Sequence, residues 1–211
     1  SYYTPEHIPE QYREYLEDAS VEVREEKEAF QISGDTLALP KENFNYEKEY
    51  MDQTQSVVFI RARKGRSVSN GSGSIITGDG HILTCNHVID KAKEIQVRVR
   101  AAQDGEAAVW KKAEVCWSDV KLDAAILKIP TDEEYSSLPL RAADTKTLPG
   151  EPIYLWGYPF GIRLSDDPDK LEISLFQGAV SSVQTKGGLS RINANMEAKR
   201  GCSGAPVFSK K

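Results

Sequence analysis

From residue 56 onward, short apolar runs alternate with polar turn signals. Most runs are rich in β-branched residues, and glycine-containing turns such as Gly-Ser-Gly and Gly-Asp-Gly separate many of them. Many short strands without long amphipathic helices between them are typical of a barrel or sandwich rather than of alternating strands and helices. We predict strands at residues 56–63, 74–77, 81–84, 95–100, 107–117, 124–129, 153–156, 171–176, 178–183, 191–195 and 205–208.

The first fifty residues have a helical pattern instead. Pro9 suits the first turn of a helix but not its interior, so the predicted helix begins there and extends to about residue 29. Such a helix either packs on its own domain with a Glu-rich face in water, or serves as a docking or regulatory arm. Apolar residues recur there at spacings of three and four: Ile8, Tyr12, Tyr15, Leu16, Ala19 and Val23.

Charge divides the chain near the same place. Residues 1–50 contain 13 acidic and 5 basic residues, whereas the rest contains 19 and 22. We therefore predict an acidic, mostly helical arm over residues 1–51 and a second region over 52–211. The net charge of −5 argues against a nucleic-acid partner, whose binding surface would be basic. No apolar run approaches the roughly 18 residues of a transmembrane helix, so no membrane partner is predicted.

Three histidines are the candidates for a general base near neutral pH. His7 lies in the acidic arm. His81 lies in an Asp-Gly-His hairpin, where we expect its side chain to point to solvent. His87 follows the predicted strand 81–84 after a two-residue polar break, so it is expected at a strand end. A lone histidine in such a position needs partners before it can be interpreted as catalytic.

The candidate partners of His87 are two residues that lie later in the chain, Asp123 and Ser203. Asp123 directly precedes the apolar run 124–127, and a carboxylate beside a buried strand is tolerated best when an imidazole or similar donor binds it. Ser203 lies in a Gly-Cys-Ser-Gly segment, whose glycines permit a tight backbone with two converging amides, as an oxyanion hole requires. Taken alone, Asp123 fits the end of a turn equally well, and Gly-Ser pairs are common in loops.

With His87, Asp123 and Ser203 in this order, the chain resembles the trypsin-like serine peptidases, and most closely their HtrA/Deg-type branch. The resemblance implies an all-β fold of two antiparallel six-stranded β-barrels. The helical arm predicted above from the residue pattern would precede them as an N-terminal extension. The first barrel would cover about residues 52–143 and the second about 144–211, with the active site between them. The resembling stretches are 71–90 (GSGSIITGDGHILTCNHVID), 122–129 (LDAAILKI), 157–161 (GYPFG), 178–183 (GAVSSV) and 201–207 (GCSGAPV).

The resemblance also implies a serine endopeptidase mechanism through an acyl-enzyme. Ser203 would attack the scissile carbonyl, His87 would accept and return the proton, and Asp123 would hold the imidazole tautomer. The backbone N–H groups of Gly201 and Ser203 would form the oxyanion hole.

Cys202 is a competing nucleophile, because viral relatives of this fold use cysteine. That alternative would put Arg200 two positions before the nucleophile, where a glycine is wanted, whereas Ser203 puts Gly201 there. The sequence therefore favours serine. HtrA-type enzymes usually have proline where Arg200 stands, so we expect this loop to be mobile or held by a charge partner.

The resemblance places Glu197 and Ala198 in the substrate-binding site. The residue six before the serine commonly lies at the base of the primary specificity pocket in trypsin-like enzymes. A buried acid there would favour Lys or Arg at the cleavage site. The alternative is that Glu197 points outward.

No cofactor and no metal are predicted. The chain has an odd number of cysteines, Cys85, Cys116 and Cys202, and they are not spaced as metal ligands are. They therefore indicate neither a disulfide framework nor a zinc site. Reduced thiols favour an intracellular, cytoplasmic location.

In the family, the second barrel continues beyond its serine through a strand, a turn and at least one more strand. Here only the predicted strand 205–208 follows Ser203, so we expect the second barrel to be incomplete at its C-terminal end. A further segment or a partner chain would complete it, because a bare strand edge attracts pairing. The expected partner in the active site is a protein or peptide substrate. The alternative function is a non-catalytic binding or regulatory module that keeps the protease fold.

Overall fold

The computed structural model describes residues 46–100, 108–141, 145–161, 171–186 and 189–209. The helix predicted over residues 9–29 lies outside these ranges. Within them the elements are the helices α1 (Tyr46–Thr54) and α2 (Asn86–Ile89) and the strands β1 (Val57–Lys64), β2 (Ser67–Ile75), β3 (His81–Thr84), β4 (Glu94–Val99), β5 (Val109–Asp119), β6 (Ala124–Lys128), β7 (Pro152–Gly157), β8 (Ser174–Lys186), β9 (Leu189–Asn195) and β10 (Val207–Ser209).

The first six strands close into an antiparallel barrel in the order β1-β2-β3-β6-β5-β4. Its interior is an apolar cluster in which Val58, Ile60, Ile82 and Leu127 are completely buried. Burying one such side chain contributes about 1.5–3 kcal/mol relative to leaving it in water. The all-β prediction is confirmed for the described part of the chain, and one six-stranded barrel is complete.

Two strands differ most from the prediction. β2 begins well before the predicted strand 74–77, because its polar first half pairs residue by residue with β1 from Lys64 opposite Ser67 onward. The predicted strands 171–176 and 178–183 form the single strand β8, whose ladder with β7 continues through Gly178 opposite Ile153. In both places tertiary pairing overrides local strand propensity.

The remaining four strands form a second antiparallel sheet in the order β10-β7-β8-β9. In the described ranges this sheet is open, with β10 and β9 at its edges. The predicted second barrel is therefore seen only in part, and the predicted division at residues 143/144 stays a prediction.

Helix α1 connects the two sheets. The Tyr50 ring packs edge-on against Trp156 of β7, with ring centroids 5.3 Å apart, and Gln53 Oε1 accepts a hydrogen bond from Trp156 Nε1 at 3.0 Å. On the barrel side, Arg100 Nη1 donates to Tyr50 Oη at 2.9 Å. Neither α1 nor α2 has the length and apolar content that crossing a bilayer requires. The predicted boundary at residues 51/52 falls inside α1 and stays a prediction.

The hairpin before β3 buries His81. Its Nδ1 lies 2.9 Å from Asp79 Oδ1 and 3.1 Å from Thr77 Oγ1, and its side chain is only 10% exposed. The expectation that His81 points to solvent is wrong, because the hairpin folds two polar side chains onto the ring. Lys128 Nζ lies 3.0 Å from Asp79 Oδ2. Burial alone would raise the pKa of Asp79, but hydrogen bonds from Thr77, His81 and Lys128 together lower it.

Candidate active site

His87 lies on the short helix α2, directly after β3. Val88 and Ile89 of the same helix are buried in the barrel, and they anchor its backbone. The His87 imidazole is turned outward and is 56% exposed. The imidazole is thus accessible from solvent while its main chain is fixed by the barrel core.

Asp123 binds His87 at two points. It directly precedes β6 and has a φ of +56°, a left-handed conformation that non-glycine residues rarely adopt. Its Oδ1 accepts a hydrogen bond from the His87 backbone N–H at 2.8 Å, and its Oδ2 lies 2.7 Å from His87 Nδ1. A carboxylate in this position favours the tautomer with the proton on Nδ1, which leaves Nε2 able to accept a proton. The structure therefore brings two of the three predicted catalytic side chains into contact.

Ser203 lies in the loop between β9 and β10, next to two glycines in left-handed conformations. Gly201 has a φ of +99° and Gly204 a φ of +83°. A Cβ on Gly201 would overlap the Tyr158 carbonyl oxygen, and one on Gly204 would overlap the Ser72 carbonyl oxygen. Both positions require glycine, for the backbone conformation and for the close approach of a neighbouring chain.

The loop that carries Ser203, here called the serine loop, is hydrogen-bonded to the part of β2 that also lies against α2. The Ser203 carbonyl accepts a hydrogen bond from the Ser72 N–H at 2.8 Å. A Cβ on the adjacent Gly71 would overlap the Val88 side chain and lie 3.1 Å from the Ser203 carbonyl oxygen. Ser203 and His87 are thus placed at the same corner of the barrel. Among the hydrogen bonds of the described residues, none joins Ser203 Oγ to His87.

The Gly201 amide is oriented by its own peptide group. The Arg200 carbonyl accepts a hydrogen bond from the Phe160 N–H at 2.5 Å. In a trans peptide the N–H points opposite to the C=O, so this bond directs the Gly201 N–H away from Phe160. Arg200 is therefore held through its backbone, whereas its predicted charge partner stays a prediction.

The Ser203 amide is oriented in the same way. The Cys202 carbonyl accepts a hydrogen bond from the Ala205 N–H at 3.0 Å, which directs the Ser203 N–H to the opposite side. Within the described ranges, neither this amide nor that of Gly201 donates to a protein acceptor. Two oriented amides with no internal acceptor are what an oxyanion hole requires.

Of the two cysteines beside the site, Cys202 is buried and Cys85 is half-buried. Burial raises the pKa of Cys202 and raises the pKa of Cys85 to about 11, to which the nearby Asp123 charge adds. A protonated thiol is a poor nucleophile, so the environment of Cys202 agrees with the preference for Ser203.

Cys85, His87 and Asp123 also form a group whose possible metal-binding atoms lie within 4.8 Å of one another. However, His87 Nδ1 and Asp123 Oδ2 are 2.7 Å apart, whereas two ligands of a tetrahedral zinc ion lie about 3.3 Å apart. This spacing fits a shared proton better than a metal ion.

Glu197 and Ala198 are exposed in the described structure. The Glu197 side chain is 93% exposed, and its carboxylate pairs with Lys199 Nζ at 3.1 Å. Their role in substrate binding stays a prediction, and Lys199 is a cation that a basic substrate residue would have to displace.

Ser72 is a residue beside the serine loop whose contacts the sequence did not predict. Its Oγ donates to the Gly201 carbonyl at 2.8 Å and accepts from the Tyr158 N–H at 3.1 Å. The Gly-Ser-Gly segment around it was predicted to be a turn, yet it lies inside β2. A signal was available, because small residues inside a strand mark a place where another backbone approaches closely.

Comparisons with known proteins agree with this geometry. The sequence profile described as "Trypsin-like peptidase domain" matches residues 71–211. The chain is 31% identical over 162 residues to "Serine protease HTRA2, mitochondrial" of Bos taurus, covering 72% of this chain and 32% of that protein. It is 31% identical over 149 residues to a "Probable periplasmic serine endoprotease DegP-like" of Marinomonas sp., covering 70% and 29%. The chain spans about a third of the length of these curated relatives.

Two solved structures share the fold. The serine endoprotease from Yersinia pestis superposes with a TM-score of 0.62 at 23% identity, over 78% of this chain and 53% of that one. Deg5 superposes with a TM-score of 0.61 at 24% identity, over 80% and 83%.

Proposed function

Because the chain belongs to the trypsin-like serine peptidases of the HtrA/Deg type, we propose that it hydrolyses peptide bonds in protein substrates as a serine endopeptidase. The observation that carries this proposal is the two-point contact of Asp123 with His87, at the corner of the barrel where the Ser203 loop is attached. A serine beside a histidine that is oriented by a carboxylate is the set that nucleophilic acyl transfer uses.

In the proposed reaction, Ser203 Oγ attacks the scissile carbonyl carbon while His87 Nε2 accepts the hydroxyl proton. The tetrahedral intermediate collapses, the C–N bond breaks, and the imidazolium gives its proton to the leaving amine. Water then attacks the acyl-enzyme with the same proton transfers and releases the new carboxyl end. Asp123 keeps the proton on Nδ1 and stabilises the imidazolium that forms in each half of the cycle.

The amides of Gly201 and Ser203 stabilise the oxyanion in this proposal. The support is that both are oriented by hydrogen bonds on the opposite side of their peptides. Losing one such donor typically lowers kcat by about 10²–10³-fold.

We propose further that Glu197, with Ala198, borders the primary specificity pocket and favours Lys or Arg in the substrate. Cleavage of a peptide library by the full-length protein tests this, and a preference for apolar or acidic residues would contradict it. Glu197→Gln should weaken the preference for basic residues. Lys199→Ala is the matched variant and should strengthen it, because the carboxylate then lacks its internal partner.

The second sheet leads us to propose that further strands pair with its open edges and complete the second barrel. This is supported by the open order β10-β7-β8-β9 and by the greater length of the curated relatives. The full-length protein should then be more active than residues 1–211 alone. Equal activity of the two would contradict the proposal.

A serine-directed fluorophosphonate tests the central proposal on the full-length protein. We expect covalent labelling that is lost in Ser203→Ala and His87→Ala. Cys202→Ala is the matched control, since it removes the neighbouring thiol and keeps the hydroxyl, and its labelling should persist. Absence of labelling of the unmodified protein under all conditions would favour the non-catalytic module instead.

A further inference from the structure

Ser72 of β2 is hydrogen-bonded to three other segments: the serine loop, Tyr158 after β7, and Thr84 of β3. It is completely buried in β2, where the first barrel meets the second sheet. Its hydroxyl bridges the Gly201 carbonyl and the Tyr158 N–H. Its backbone N–H donates to the Ser203 carbonyl at 2.8 Å, and its carbonyl accepts from Thr84 Oγ1 at 2.7 Å. Every polar group of this residue is therefore engaged, and two of its bonds reach the serine loop.

The serine loop is held through its carbonyl groups. Each carbonyl from residue 200 to residue 203 accepts a hydrogen bond. Because a peptide group is planar, a fixed carbonyl also fixes the direction of the N–H in the same peptide. In chain order the donors are Phe160 N (2.5 Å), Ser72 Oγ (2.8 Å), Ala205 N (3.0 Å) and Ser72 N (2.8 Å).

Ser72 Oγ is the only side-chain donor in that series, within the part of the chain that the structure describes. Without it, the Gly201 carbonyl would lose its donor and the Tyr158 N–H would lose its acceptor, at a buried position where neither is easily replaced. The peptide between residues 201 and 202 would then be held only by the Cys202 N–H, which donates to the Lys199 carbonyl at 3.2 Å. Rotation about this weaker attachment would change the directions of the amides on either side.

We propose that Ser72 is a positioning residue for peptide hydrolysis: its hydroxyl, bridging the Gly201 carbonyl and the Tyr158 N–H, holds the Gly201 and Ser203 amides toward the scissile carbonyl. This inference rests on the proposed function. It assigns a catalytic consequence to a side chain that does not touch the substrate.

The test compares Ser72→Ala with Ser74→Ala in the full-length protein. Ser74 is a buried serine of the same strand, 6% exposed, with no hydrogen bond to the serine loop among the described contacts. For a peptide substrate, we expect Ser72→Ala to lower kcat and kcat/KM equally, by about 10–100-fold, because oxyanion contacts form in the transition state. Ser74→Ala should stay within about twofold of the unmodified protein.

Amide hydrogen exchange of residues 200–204 gives a second readout that does not depend on activity. Exchange of the Cys202 amide, which donates to the Lys199 carbonyl at 3.2 Å, should be at least about tenfold faster in Ser72→Ala than in Ser74→Ala. If the unmodified protein neither reacts with the fluorophosphonate nor cleaves peptides, the proposed function fails, and the exchange experiment still tests whether Ser72 holds the loop.

Two outcomes would overturn the inference. One is a Ser72→Ala protein with a lower Tm but an unchanged kcat, which would make Ser72 purely structural. The other is unchanged exchange of the Cys202 amide. If Ser72→Ala does not fold, Ser72→Cys takes its place, since a thiol fills the space and donates only a weak hydrogen bond. The same loss of kcat is expected there.

Discussion

The two sheets of this protein are both antiparallel, but they hold their site residues by different means. In the barrel every strand has two hydrogen-bonded neighbours, and its apolar side chains meet in one buried cluster. In the second sheet, β10 is only partly buried along its length, and Leu175 and Val183 of β8 are 42% and 39% exposed. His87 and Asp123 come from the barrel, whereas Ser203 precedes an edge strand of the open sheet.

This difference raises the question of which contacts hold the serine loop in its conformation. Its hydrogen bonds run to Ser72 of the barrel and to Phe160, and its glycines are in contact with Ser72 and Tyr158. A closed barrel can position the side chains it carries by its own core. The serine loop instead takes two of its four carbonyl hydrogen bonds from Ser72 of the barrel.

The largest effect is expected from the barrel's own pair of site residues. Asp123→Asn should lower kcat by about 10⁴-fold, because the amide favours the wrong imidazole tautomer. Steady-state kinetics on a peptide substrate measures this. Asp90→Asn, at the end of the same helix as His87, is the control and should have little effect. A loss of less than about tenfold in Asp123→Asn would mean that another group orients His87.

Core truncations compare the two sheets directly. Ile82→Ala in the barrel should lower the free energy of unfolding by about 2–5 kcal/mol, since Ile82 is completely buried in a closed core. Leu155→Ala in β7 should cost less, about 1–3 kcal/mol, because its surroundings can relax more easily. Urea unfolding followed by circular dichroism measures both. An equal or reversed order would contradict the contrast between a closed and an open core.

Two glycines with similar backbone conformations test the contact between loop and barrel. Gly204 (φ +83°) is packed against Ser72 and Thr84, whereas a Cβ added to Gly150 (φ +88°) would have nothing within 4 Å. Gly150→Ala should cost about 1 kcal/mol of unfolding free energy from backbone strain alone. Gly204→Ala should cost about 2–4 kcal/mol and lower kcat, because the methyl group would also push the loop from the barrel. Similar costs for both variants would argue against a tight contact.

The smallest effect concerns the barrel alone and depends on pH. The pKa of Asp79 is lowered in the fold, so its ionised form stabilises the barrel above the ordinary aspartate pKa of about 3.9. This contribution is lost as pH falls from about 4 through the lowered value. Urea unfolding between pH 6 and pH 2 should therefore show a weaker acid dependence in Asp79→Asn. Identical pH profiles for the variant and the unmodified protein would contradict this assignment.

Much of the barrel could be predicted from sequence because its strands are both apolar and β-branched. The prediction for β3 is confirmed, and β1, β4 and β6 are displaced by only a residue or so. β2 was only partly predicted, because its polar first half gains its structure from pairing with β1 rather than from its own side chains.

For the site, chain order and local pattern identified His87, Asp123 and Ser203, but not what holds them. The small residues around Ser72 indicate that another backbone approaches, but no local pattern identifies Gly201, 129 positions away, as part of that backbone. His81 was misjudged for a similar reason. The turn residues that cover it are close in sequence, but their placement over the ring depends on how the hairpin folds.

The bridge from Ser72 to Gly201 has a consequence for biosynthesis. A ribosome makes the strand that carries the hydroxyl long before the segment that accepts its hydrogen bond. The strands of the barrel therefore emerge first, and contacts between distant segments form late because closing a long loop is entropically costly. We expect the Gly201 and Ser203 amides, the proposed oxyanion donors, to become oriented only after the barrel is in place. Under the proposed function, a nascent chain built in this way is inactive while the rest of that chain is still unfolded and open to cleavage.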